Sequence, residues 1–384
     1  MGERWRHTWH DLVQDVLQPE LCTGCSGCVI ACPQKVLSLD NETWTPRLAP
    51  EASTGETGDR CVFGDRGCTL CARACPRFGS WETDADVAMW ARSRNADEVI
   101  GVHRRVLLVQ ATDPLIAEVG QDGGLGTSLL WYALEHGYID SALVSYFDEG
   151  MRPKPGVART KEELLACAGS RYTYSPNLLA FDDAIANGAE KIGVISVGCQ
   201  TSVPPVARSR GANKMAKRFG LTIGLLCSKT FTESIYEDLL EAEHGVVRDR
   251  ITKVNIKGRL QVWHTDSQNE PAFLEVPLSE CRAFTRPGCE HCPDFAAEHG
   301  DLSLGGIGKY PGKTLTITRS ELGEEILTAM ERDGWITVED AIEDDPAAVA
   351  LIHKLATMQR KRWPTNPAGS TEPHLAPAML PGSP

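Results

Sequence analysis

Cysteine spacing constrains this chain more than any other feature of its sequence. Eight of the 14 cysteines fall between Cys22 and Cys75, in a segment with little periodic hydrophobicity. Such a segment builds only a small apolar core, so its fold must depend largely on what the cysteines bind. The first four follow the pattern Cys-x2-Cys-x2-Cys-x3-Cys-Pro, at Cys22, Cys25, Cys28 and Cys32.

This spacing is that of bacterial two-cluster ferredoxins, in which three thiolates hold one 4Fe–4S cubane and the fourth reaches the neighbouring cluster. A second copy follows as Cys-x6-Cys-x2-Cys-x3-Cys-Pro, and only its six-residue first gap departs from the compact pattern. The crossed arrangement predicts two ligand sets, Cys22, Cys25, Cys28 and Cys75 for the first cluster, and Cys61, Cys68, Cys71 and Cys32 for the second.

Paired zinc sites and a disulfide scaffold are the alternatives for these cysteines. Zinc motifs rarely place four cysteines at this spacing before a proline, and here the pattern occurs twice. A disulfide scaffold requires an oxidising compartment, whereas the start MGERWRHTWH lacks the apolar core of a secretion signal. No apolar run approaches the length of a membrane span. We therefore expect a cytoplasmic iron–sulfur protein without a transmembrane segment.

The charge balance bears on the class of partner. Lys and Arg total 39 and Asp and Glu total 52, so the net charge is −13. Nucleic-acid binders usually present a basic face, and we expect no nucleic-acid partner. Two clusters side by side transfer single electrons without substrate chemistry, so the rest of the chain should hold the site that collects or spends those electrons.

Beyond the cysteine-rich segment, short β-rich runs such as 106–112 alternate with helical stretches such as 127–137. This alternation predicts a mixed, mainly parallel α/β domain, and residues 251–265 read as a hairpin turning at Lys257-Gly258. We divide the chain into a polar lead (1–18), a ferredoxin-like domain with two 4Fe–4S clusters (19–80), a helical connector (81–103), a mixed α/β domain (104–345), a helix (346–363) and a disordered proline-rich tail (364–384).

A glycine-rich turn at 121–127 follows a predicted strand and opens a predicted helix. Glycines in this position let backbone N–H groups approach a phosphate at the helix N-terminus. Such turns also occur for packing alone. The turn by itself therefore leaves a phosphate-bearing cofactor and a purely structural role both open.

A set of motifs in one order resembles the family of beta subunits of coenzyme F420 hydrogenases and dehydrogenases over roughly residues 18–340. The motifs are GGLGTSLLWYALEHGYIDSALV, GSRYTYSPN, GVISVGCQ, IGLLCSKTF, CEHCPDF and GDLSLGGIGKYPGKTLTITR. The resemblance implies FAD, iron–sulfur clusters and, in many members, hydride exchange with coenzyme F420. The ferredoxin segment in front is similar to the input subunit of F420H2 dehydrogenase complexes, whereas relatives in phototrophs reduce chlorophyll intermediates with electrons from ferredoxin.

The resemblance also implies which residues lie against the flavin. They are Gly123, Gly124, Thr127, Gly169, Ser170, Arg171, Tyr172, Ser175 and Asn177. The family usually has Ser where this chain has Asp122. A carboxylate beside a flavin pyrophosphate is unfavourable unless it points away or meets a cation such as Arg171.

Four later cysteines predict a third 4Fe–4S cluster. Cys199 and Cys227 end predicted strands, and Cys289-x2-Cys292 supplies an adjacent pair. Ligands gather at the carboxyl ends of strands in a parallel sheet, and the family resemblance supports the same four residues. A zinc site or a flavin-proximal thiol at Cys199 are the alternatives.

The remaining candidates have weaker signals. Cys167 and Cys281 are interpreted as small buried apolar residues, with replacement of one of the four assumed ligands of the third cluster as the alternative for Cys281. Basic residues surround glycine-rich turns and either meet an acidic ligand such as the glutamate tail of F420 or are solvated, namely Lys229, Lys309, Lys313 and Arg319. Phe231 and Tyr310 either stack on a ring or pack in the core.

The sequence thus predicts a flavin- and iron–sulfur-dependent oxidoreductase that passes electrons between coenzyme F420 and clusters leading to a redox partner protein or a larger complex. A homo-oligomer is a further possibility, and no catalytic residue is assigned. The alternatives are a ferredoxin-dependent reductase of a tetrapyrrole or another unsaturated substrate, and a non-catalytic electron-transfer subunit. The same parts serve either direction of electron flow.

Overall fold

The computed structural model describes residues 5–55, 58–148, 150–307 and 312–362. The predicted proline-rich tail at 364–384 lies outside these residues. The strands are β1 (Leu37–Leu39), β2 (Pro46–Leu48), β3 (Ser53–Thr54), β4 (Arg60–Cys61), β5 (Arg105–Ala111), β6 (Ser141–Phe147), β7 (Pro153–Ala158), β8 (Ile192–Val197), β9 (Phe219–Leu225), β10 (Ile251–Ile256), β11 (Arg259–Thr265), β12 (Pro271–Pro277), β13 (Leu302–Gly305), β14 (Thr314–Thr318) and β15 (Ile336–Asp340).

The α-helices are α1 (Trp9–Leu12), α2 (Gly27–Ala31), α3 (Val62–Asp65), α4 (Leu70–Arg73), α5 (Trp81–Trp90), α6 (Pro114–Val119), α7 (Leu125–Glu135), α8 (Lys161–Ala166), α9 (Phe181–Ala186), α10 (Gly198–Thr201), α11 (Val203–Ser209), α12 (Asn213–Ala216), α13 (Pro287–Glu290), α14 (Glu321–Arg332), α15 (Ala341–Asp344) and α16 (Pro346–Arg360). Val13–Leu17 and Ile235–Glu243 are π-helical, and Asn177–Ala180 is a 3-10 turn. Among the described residues, none of the helices has the length and apolar character that crossing a bilayer requires.

The N-terminal lead is not simply polar, because its helix buries one face. A capping box starts α1, with the Thr8 backbone N–H donating to Asp11 Oδ2 at 2.6 Å. Trp9, Leu12 and Val16 are buried in one apolar cluster with the cysteine-rich loops. The lead therefore supplies apolar surface that the cysteine-rich segment lacks.

The main sheet of the described chain has eight strands in the order β15-β5-β14-β13-β9-β8-β6-β7. The prediction of a mixed sheet is confirmed, but parallel pairing is limited to its centre, β13-β9-β8-β6. The other four of the seven pairs are antiparallel. The edge strand β7 carries Pro153 and Pro155, and prolines are tolerated at sheet edges but weaken a strand signal in sequence. The sheet is therefore less parallel than the sequence predicts.

Both faces of this sheet are covered. Successive residues of a strand point to opposite faces, and in β5 both sets are buried. Leu107 and Val109 pack in the cluster that contains α7 and α14. Val106 and Leu108 pack in another cluster with Ile352 of α16. This two-sided burial leaves the carboxyl ends of the central parallel strands as the place for a ligand.

A separate antiparallel sheet, β10-β11-β12, confirms the predicted hairpin and adds one strand to it. The hairpin turns at Lys257-Gly258, where Gly258 has φ +73°, a left-handed conformation that two-residue hairpin turns require. Its apolar side packs on the π-helical segment Ile235–Glu243. The hairpin thereby brings Lys257 to the edge of the main domain.

The segment predicted as a connector carries a buried ionic network. Arg94 is almost completely buried and places Nη2 2.7 Å from Asp86 Oδ1. His299 Nε2 lies 2.9 Å from the same oxygen, and Arg94 also contacts Glu298. Glu298 in turn contacts Arg360 of α16. Regular helix ends at Trp90, and these side chains join α5 and the chain after it to the α/β domain and to α16.

Removing the central cation of this network should destabilise the fold. Because Arg94→Met leaves two buried carboxylates without that partner, we expect a loss of about 3–5 kcal/mol in the free energy of unfolding. Anaerobic urea denaturation of the cluster-loaded protein measures the change. The matched control is Arg92→Met, which breaks the exposed pair of Arg92 with Glu98. Equal losses in the two variants would contradict a structural role for the buried network.

Candidate redox site

The structure brings the first predicted cysteine set together around one cavity. Cys22, Cys25, Cys28 and Cys75 line a cavity of about 340 Å³. The first three come from the loop before α2 and from its first turn, and Cys75 follows α4. Gly24 has φ +71°, a conformation that lets this loop turn tightly. A side chain at this position would also collide with the backbone oxygen of Trp44, so glycine is required there. The crossed grouping predicted from the spacing is therefore geometrically accessible.

The second predicted set surrounds a neighbouring cavity of about 360 Å³, lined by Cys32, Cys61, Cys68 and Cys71. The expanded gap between Cys61 and Cys68 folds as the short helix α3, and the Cys68 backbone N–H donates to Phe63 O at 2.9 Å. This local helix shortens the distance that the six extra residues would otherwise span. The six-residue gap therefore still allows Cys61 to line the same cavity as Cys32, Cys68 and Cys71.

The chemistry of these thiols fits a metal cluster. All cysteines are free. Burial, and after it the neighbouring thiolates, raise the pKa values of Cys25, Cys71 and Cys75 to about 12. Thiols with such pKa values stay protonated at neutral pH, whereas metal coordination deprotonates a thiol outright. All-thiolate sets suit iron–sulfur clusters or zinc.

The third set also converges. Val197 and Leu225 are register partners at the carboxyl ends of β8 and β9, and a cysteine follows each of them two residues later, at Cys199 and Cys227. The pKa of Cys227 is raised well above its usual value by removal from water and then by Cys289, Cys199 and Cys292. The four predicted residues therefore lie within electrostatic range of one another, with Cys289 and Cys292 contributed by α13 and the residues after it.

Three polar side chains contact the sulfurs of the third set. The guanidinium of Arg77 donates from Nη2 to Cys292 Sγ at 2.9 Å. The hydroxyl of Tyr174 lies 3.8 Å from Cys199 Sγ, and that of Thr230 lies 3.5 Å from Cys289 Sγ. Tyr174 and Thr230 fall in motifs that the sequence singled out. Arg77 does not: it follows a ferredoxin cysteine, and nothing in its local sequence points to a cysteine 215 positions later.

The third set is also supported from its outer side by the C-terminal helix. Gln359 donates from Nε2 to the backbone carbonyl of Cys227 at 3.1 Å and to that of Asp294 at 2.9 Å. Arg362 donates to the carbonyl of Ser228 at 2.6 Å. These contacts fix the loops that carry two of the cysteines, so α16 and the residues after it form part of the wall of this site.

The glycine-rich turn adopts the conformation that makes glycine necessary. Gly123 has φ +91° and Gly124 has φ +70°, immediately before α7. A Cβ on Gly123 would lie 2.5 Å from the carbonyl oxygen of Gly312. A Cβ on Gly169 would lie 4.0 Å from the carbonyl oxygen of Val119, two residues before the turn, and the Tyr172 hydroxyl interacts with Asp122 in the turn, so the first residues of the 169–177 segment lie beside it. The structure therefore brings together the two stretches that the resemblance assigns to the flavin.

Within the 169–177 segment the assigned residues are held by specific hydrogen bonds. Tyr172 donates its hydroxyl to Asn255 Oδ1 at 3.0 Å. Ser175 donates to Asn177 Oδ1 at 2.7 Å, and Asn177 donates from Nδ2 to the Ile195 carbonyl at 2.7 Å. These bonds tie one end of the segment to β10 and the other to β8.

Some buried polar atoms near the turn have no partner in the described structure. They are Ser128 Oγ in α7, and Thr173 Oγ1 and Arg171 Nε in the 169–177 segment. Buried polar groups are normally hydrogen-bonded. These atoms, with the positive-φ turn, fit a polar group bound between the turn and the segment, and Thr127 and Ser170 lie partly exposed beside them.

Asp122 meets a cation, but that cation is not Arg171. Its Oδ1 lies 2.9 Å from Lys257 Nζ at the tip of the β10-β11 hairpin. Arg171 instead donates from Nη1 to the backbone carbonyls of its own loop, such as Gly169 O at 2.7 Å. A long-range pair therefore neutralises the carboxylate beside the turn, and the hairpin supplies a charge that sequence proximity does not reveal.

Two of the weaker candidates are buried in the core. Arg319 is buried, which agrees with neither a solvated charge nor an exposed ligand contact, and it donates to Ser303 Oγ at 2.7 Å and to Ala296 O at 3.0 Å, so it supports the core. Phe231 packs in the core between the π-helical segment and the second sheet, together with the buried Cys281. Cys167 packs partly buried against the main core.

The other basic candidates differ in their surroundings. Lys313 pairs with Glu339, while Lys309 and Tyr310 lie outside the described residues. Lys229 is partly exposed, and its pKa is lowered first by removal from water and then by Arg362 and Arg282. Lys229 is therefore the described candidate that retains a basic environment open to an acidic ligand.

Comparison with protein families matches three models along the chain. Residues 21–78 match a 4Fe-4S dicluster domain. Residues 106–182 and 189–344 match the N-terminal and C-terminal models of the coenzyme F420 hydrogenase/dehydrogenase beta subunit. The chain thus begins with a ferredoxin-like 4Fe–4S domain, followed by a mixed α/β domain.

Individual proteins agree with these matches. The coenzyme F420 hydrogenase subunit beta of Methanothermobacter thermautotrophicus is 32% identical over 279 residues, which cover 71% of this chain and 97% of that protein. A subunit of the F(420)H(2) dehydrogenase of Methanosarcina mazei is 25% identical over 353 residues, covering 91% and 92%. Among solved structures, a chain of the F420-reducing [NiFe] hydrogenase complex of Methanosarcina barkeri superposes with a TM-score of 0.64 at 29% identity, covering 69% of this chain and 91% of that one.

Proposed function

Because the chain belongs to the family of coenzyme F420 hydrogenase/dehydrogenase beta subunits, we propose that it passes electrons between coenzyme F420 and a redox partner, through FAD and three 4Fe–4S clusters. The observation that carries this proposal is the convergence of three four-cysteine sets, the third of which meets the 169–177 segment where Tyr174 lies 3.8 Å from Cys199. A module of buried thiols alone would only transfer electrons, and the second domain supplies a place for hydride chemistry.

Bound FAD would convert between a two-electron hydride and single electrons. In this chain the turn at Gly123 and Gly124 would admit the flavin pyrophosphate, because positive-φ glycines bring backbone close to a phosphate at the start of a helix. The unpartnered hydroxyls of Ser128 and Thr173 would donate to the bound group. Lys257 would keep Asp122 from repelling it.

The contacts between the cysteine sets support one order of transfer. Tyr174, in the proposed flavin segment, lies beside Cys199 of the third set. The thiol of Cys199 interacts with Cys25 of the first set, and Cys28 of the first set interacts with Cys71 of the second. We infer that the Cys199 set would hold the cluster nearest the flavin, the Cys25 set the next one and the Cys71 set the last, so that bound clusters would relay electrons in either direction. The second cluster lies at the end of this series, which makes it the proposed exchange point with a partner.

The partner we propose is a larger oxidoreductase complex. The relatives named above are subunits of an F420 hydrogenase and an F420H2 dehydrogenase. The second domain holds no further cysteine set among its described residues, so electrons would leave through the ferredoxin-like domain. A homo-oligomer stays a prediction.

Anaerobic titration of the cluster- and flavin-loaded protein with reduced F420 tests this function. We expect the flavin and cluster absorbance to bleach together. Bleaching by dithionite and reduced ferredoxin, but none by reduced F420, would reject F420 as the donor. That result would favour a ferredoxin-dependent reductase of a tetrapyrrole or another unsaturated substrate. Protein that loads clusters but no flavin would instead indicate a non-catalytic electron-transfer subunit.

The Asp122–Lys257 pair gives a prediction about flavin affinity. Lys257→Met leaves a carboxylate unpaired beside the proposed pyrophosphate site, and we expect FAD binding to weaken roughly fivefold, as about 1 kcal/mol of repulsion would produce. Adding Asp122→Asn should restore the affinity. Fluorescence titration of FAD into the flavin-free protein measures both changes. Lys253→Met, on the strand β10 that leads into the turn, is the matched control, and an equal weakening there would contradict the pairing argument.

A further inference from the structure

Arg77 is a buried cation at the junction of the two domains. Only 2% of its surface is exposed, and it follows Cys75-Pro76 at the end of the ferredoxin-like domain. Its guanidinium crosses to the second domain, where Nη2 donates to Cys292 Sγ at 2.9 Å. The guanidinium carbon also lies 4.8 Å from the centre of the Trp81 ring. These contacts fix a full positive charge against a cysteine of the third set.

The same charge acts on cysteines of both domains. Beside its bond to Cys292, Arg77 lines the cavity of the first set together with Cys22, Cys25, Cys28 and Cys75. The cavity of the second set is lined by other residues. Arg77 thus lies between the third and first sets and apart from the second.

A purely structural role is already filled at this junction by a neighbouring arginine. Arg210 crosses in the opposite direction and donates to the carbonyls of Cys75 at 3.0 Å and Phe78 at 2.5 Å. Its charge is balanced by Asp84, with Nε 2.7 Å from Oδ2. Arg210 therefore holds the backbone of the two domains together, whereas Arg77 points its charge at sulfur.

We propose that Arg77 is a positioning residue shared by the third and first clusters, which raises the reduction potential of both and keeps electron exchange between them favourable. This inference rests on the proposed function, because it requires a cluster at the third set. Reduction adds one electron, and thus one negative charge, to a cluster without a proton. A fixed buried cation stabilises the reduced form, and hydrogen bonds to the sulfurs act in the same direction.

The arrangement predicts a graded response. The third cluster receives both the charge and the hydrogen bond, the first receives the charge alone, and the second receives neither. When one electron passes from the third cluster to the first, the third becomes oxidised, the first becomes reduced, and the cation stays within range of both. Arg77 therefore stabilises the transferred electron whichever of the two clusters holds it.

Redox titration followed by electron paramagnetic resonance tests the inference on Arg77→Gln. We expect the ratio of reduced to oxidised third cluster at a given potential to fall about tenfold, the factor that a hydrogen bond to a charged group contributes. This factor equals a shift of about 59 mV for one electron. The first cluster should shift less in the same direction, and the second should not shift. The matched control is Arg73→Gln, which removes a bond across the same junction to the Arg210 carbonyl without contacting sulfur.

The outcomes separate this inference from the proposed function. Iron analysis and the resonance spectrum of the unmodified protein first establish whether a third cluster is present, and its absence would reject the proposed function and this inference with it. Three clusters with unchanged potentials in Arg77→Gln, or equal shifts in all three, would overturn the inference alone. If Arg77→Gln does not load its clusters, Arg77→Lys decides. Lysine keeps the charge but not the guanidinium hydrogen bond to Cys292. We therefore expect the potential of the first cluster to stay near its original value and that of the third cluster to fall. An unchanged potential at the third cluster would overturn the role.

Discussion

In a Cys227→Ala variant, we expect reduced F420 to bleach the flavin while the clusters of the ferredoxin-like domain stay oxidised. Cys227 interacts with the other three thiols of its set, and its loop is fixed by Gln359. Removal of Cys227 takes the protein ligand from one iron of the third cubane, and we expect that cluster to lose iron or to be absent. The electron would then have no acceptor beside the flavin. We therefore expect no reduction of the clusters in the ferredoxin-like domain during the time that one turnover takes.

Stopped-flow absorbance under anaerobic conditions distinguishes flavin bleaching from cluster bleaching in this variant. The control is Cys281→Ala, because Cys281 is equally a free cysteine but is fully buried in a core away from all three sets. We expect the control to reduce its clusters at the rate of the unmodified protein. Normal cluster reduction in Cys227→Ala would contradict the proposed route through the third set.

The second large effect is expected at the glycine turn. An L-residue in the left-handed conformation costs about 1–2 kcal/mol, and a Cβ at position 123 would also collide with the Gly312 carbonyl. The atoms that this Cβ would meet belong to the backbone of Gly312 and Lys313, so the turn must move to relieve the contact. We expect Gly123→Ala to abolish FAD retention while the iron content stays unchanged.

Gly137→Ala is the matched control for the turn. Gly137 has φ +70° just beyond the other end of the same helix, and nothing lies within 4 Å of the Cβ that would be added. The two variants therefore share the conformational cost and differ in the collision. FAD and iron content per purified chain measure the outcome. Retention of FAD in Gly123→Ala, or its equal loss in both variants, would place the flavin elsewhere.

The cysteine sets show how far local spacing determines a site. The gaps between Cys22, Cys25 and Cys28 are short enough that the backbone limits where their sulfurs can meet, and the proline after each fourth cysteine turns the chain away. These local restraints group the cysteines that are close in sequence, and the fold then brings each fourth cysteine to the other group, as the linings of the two cavities show. The ligand role of these thiols stays a prediction until clusters are measured.

The main sheet shows where local patterns stop being informative. The central strands β6, β8 and β9 are continuous apolar runs, which are typical of strands buried on both faces. The direction of a neighbour depends on how the chain returns, and β13 lies parallel to β9 but antiparallel to β14. Residue type does not encode that choice, so the sequence overestimates the parallel share.

The amino-acid sequence by itself determined the ferredoxin-like domain with its two cysteine sets and the mixed α/β domain, because these depend on spacing and periodicity within short stretches. The order of its motifs carried the resemblance to the family, and that resemblance supported the third cysteine set. The tertiary structure alone decided which distant charges meet. Lys257 neutralises Asp122 from a hairpin 135 positions away along the numbering, and Arg77 reaches Cys292 across the domain junction. Coulomb interactions and hydrogen bonds depend on distance in space, and only the packed fold establishes that distance.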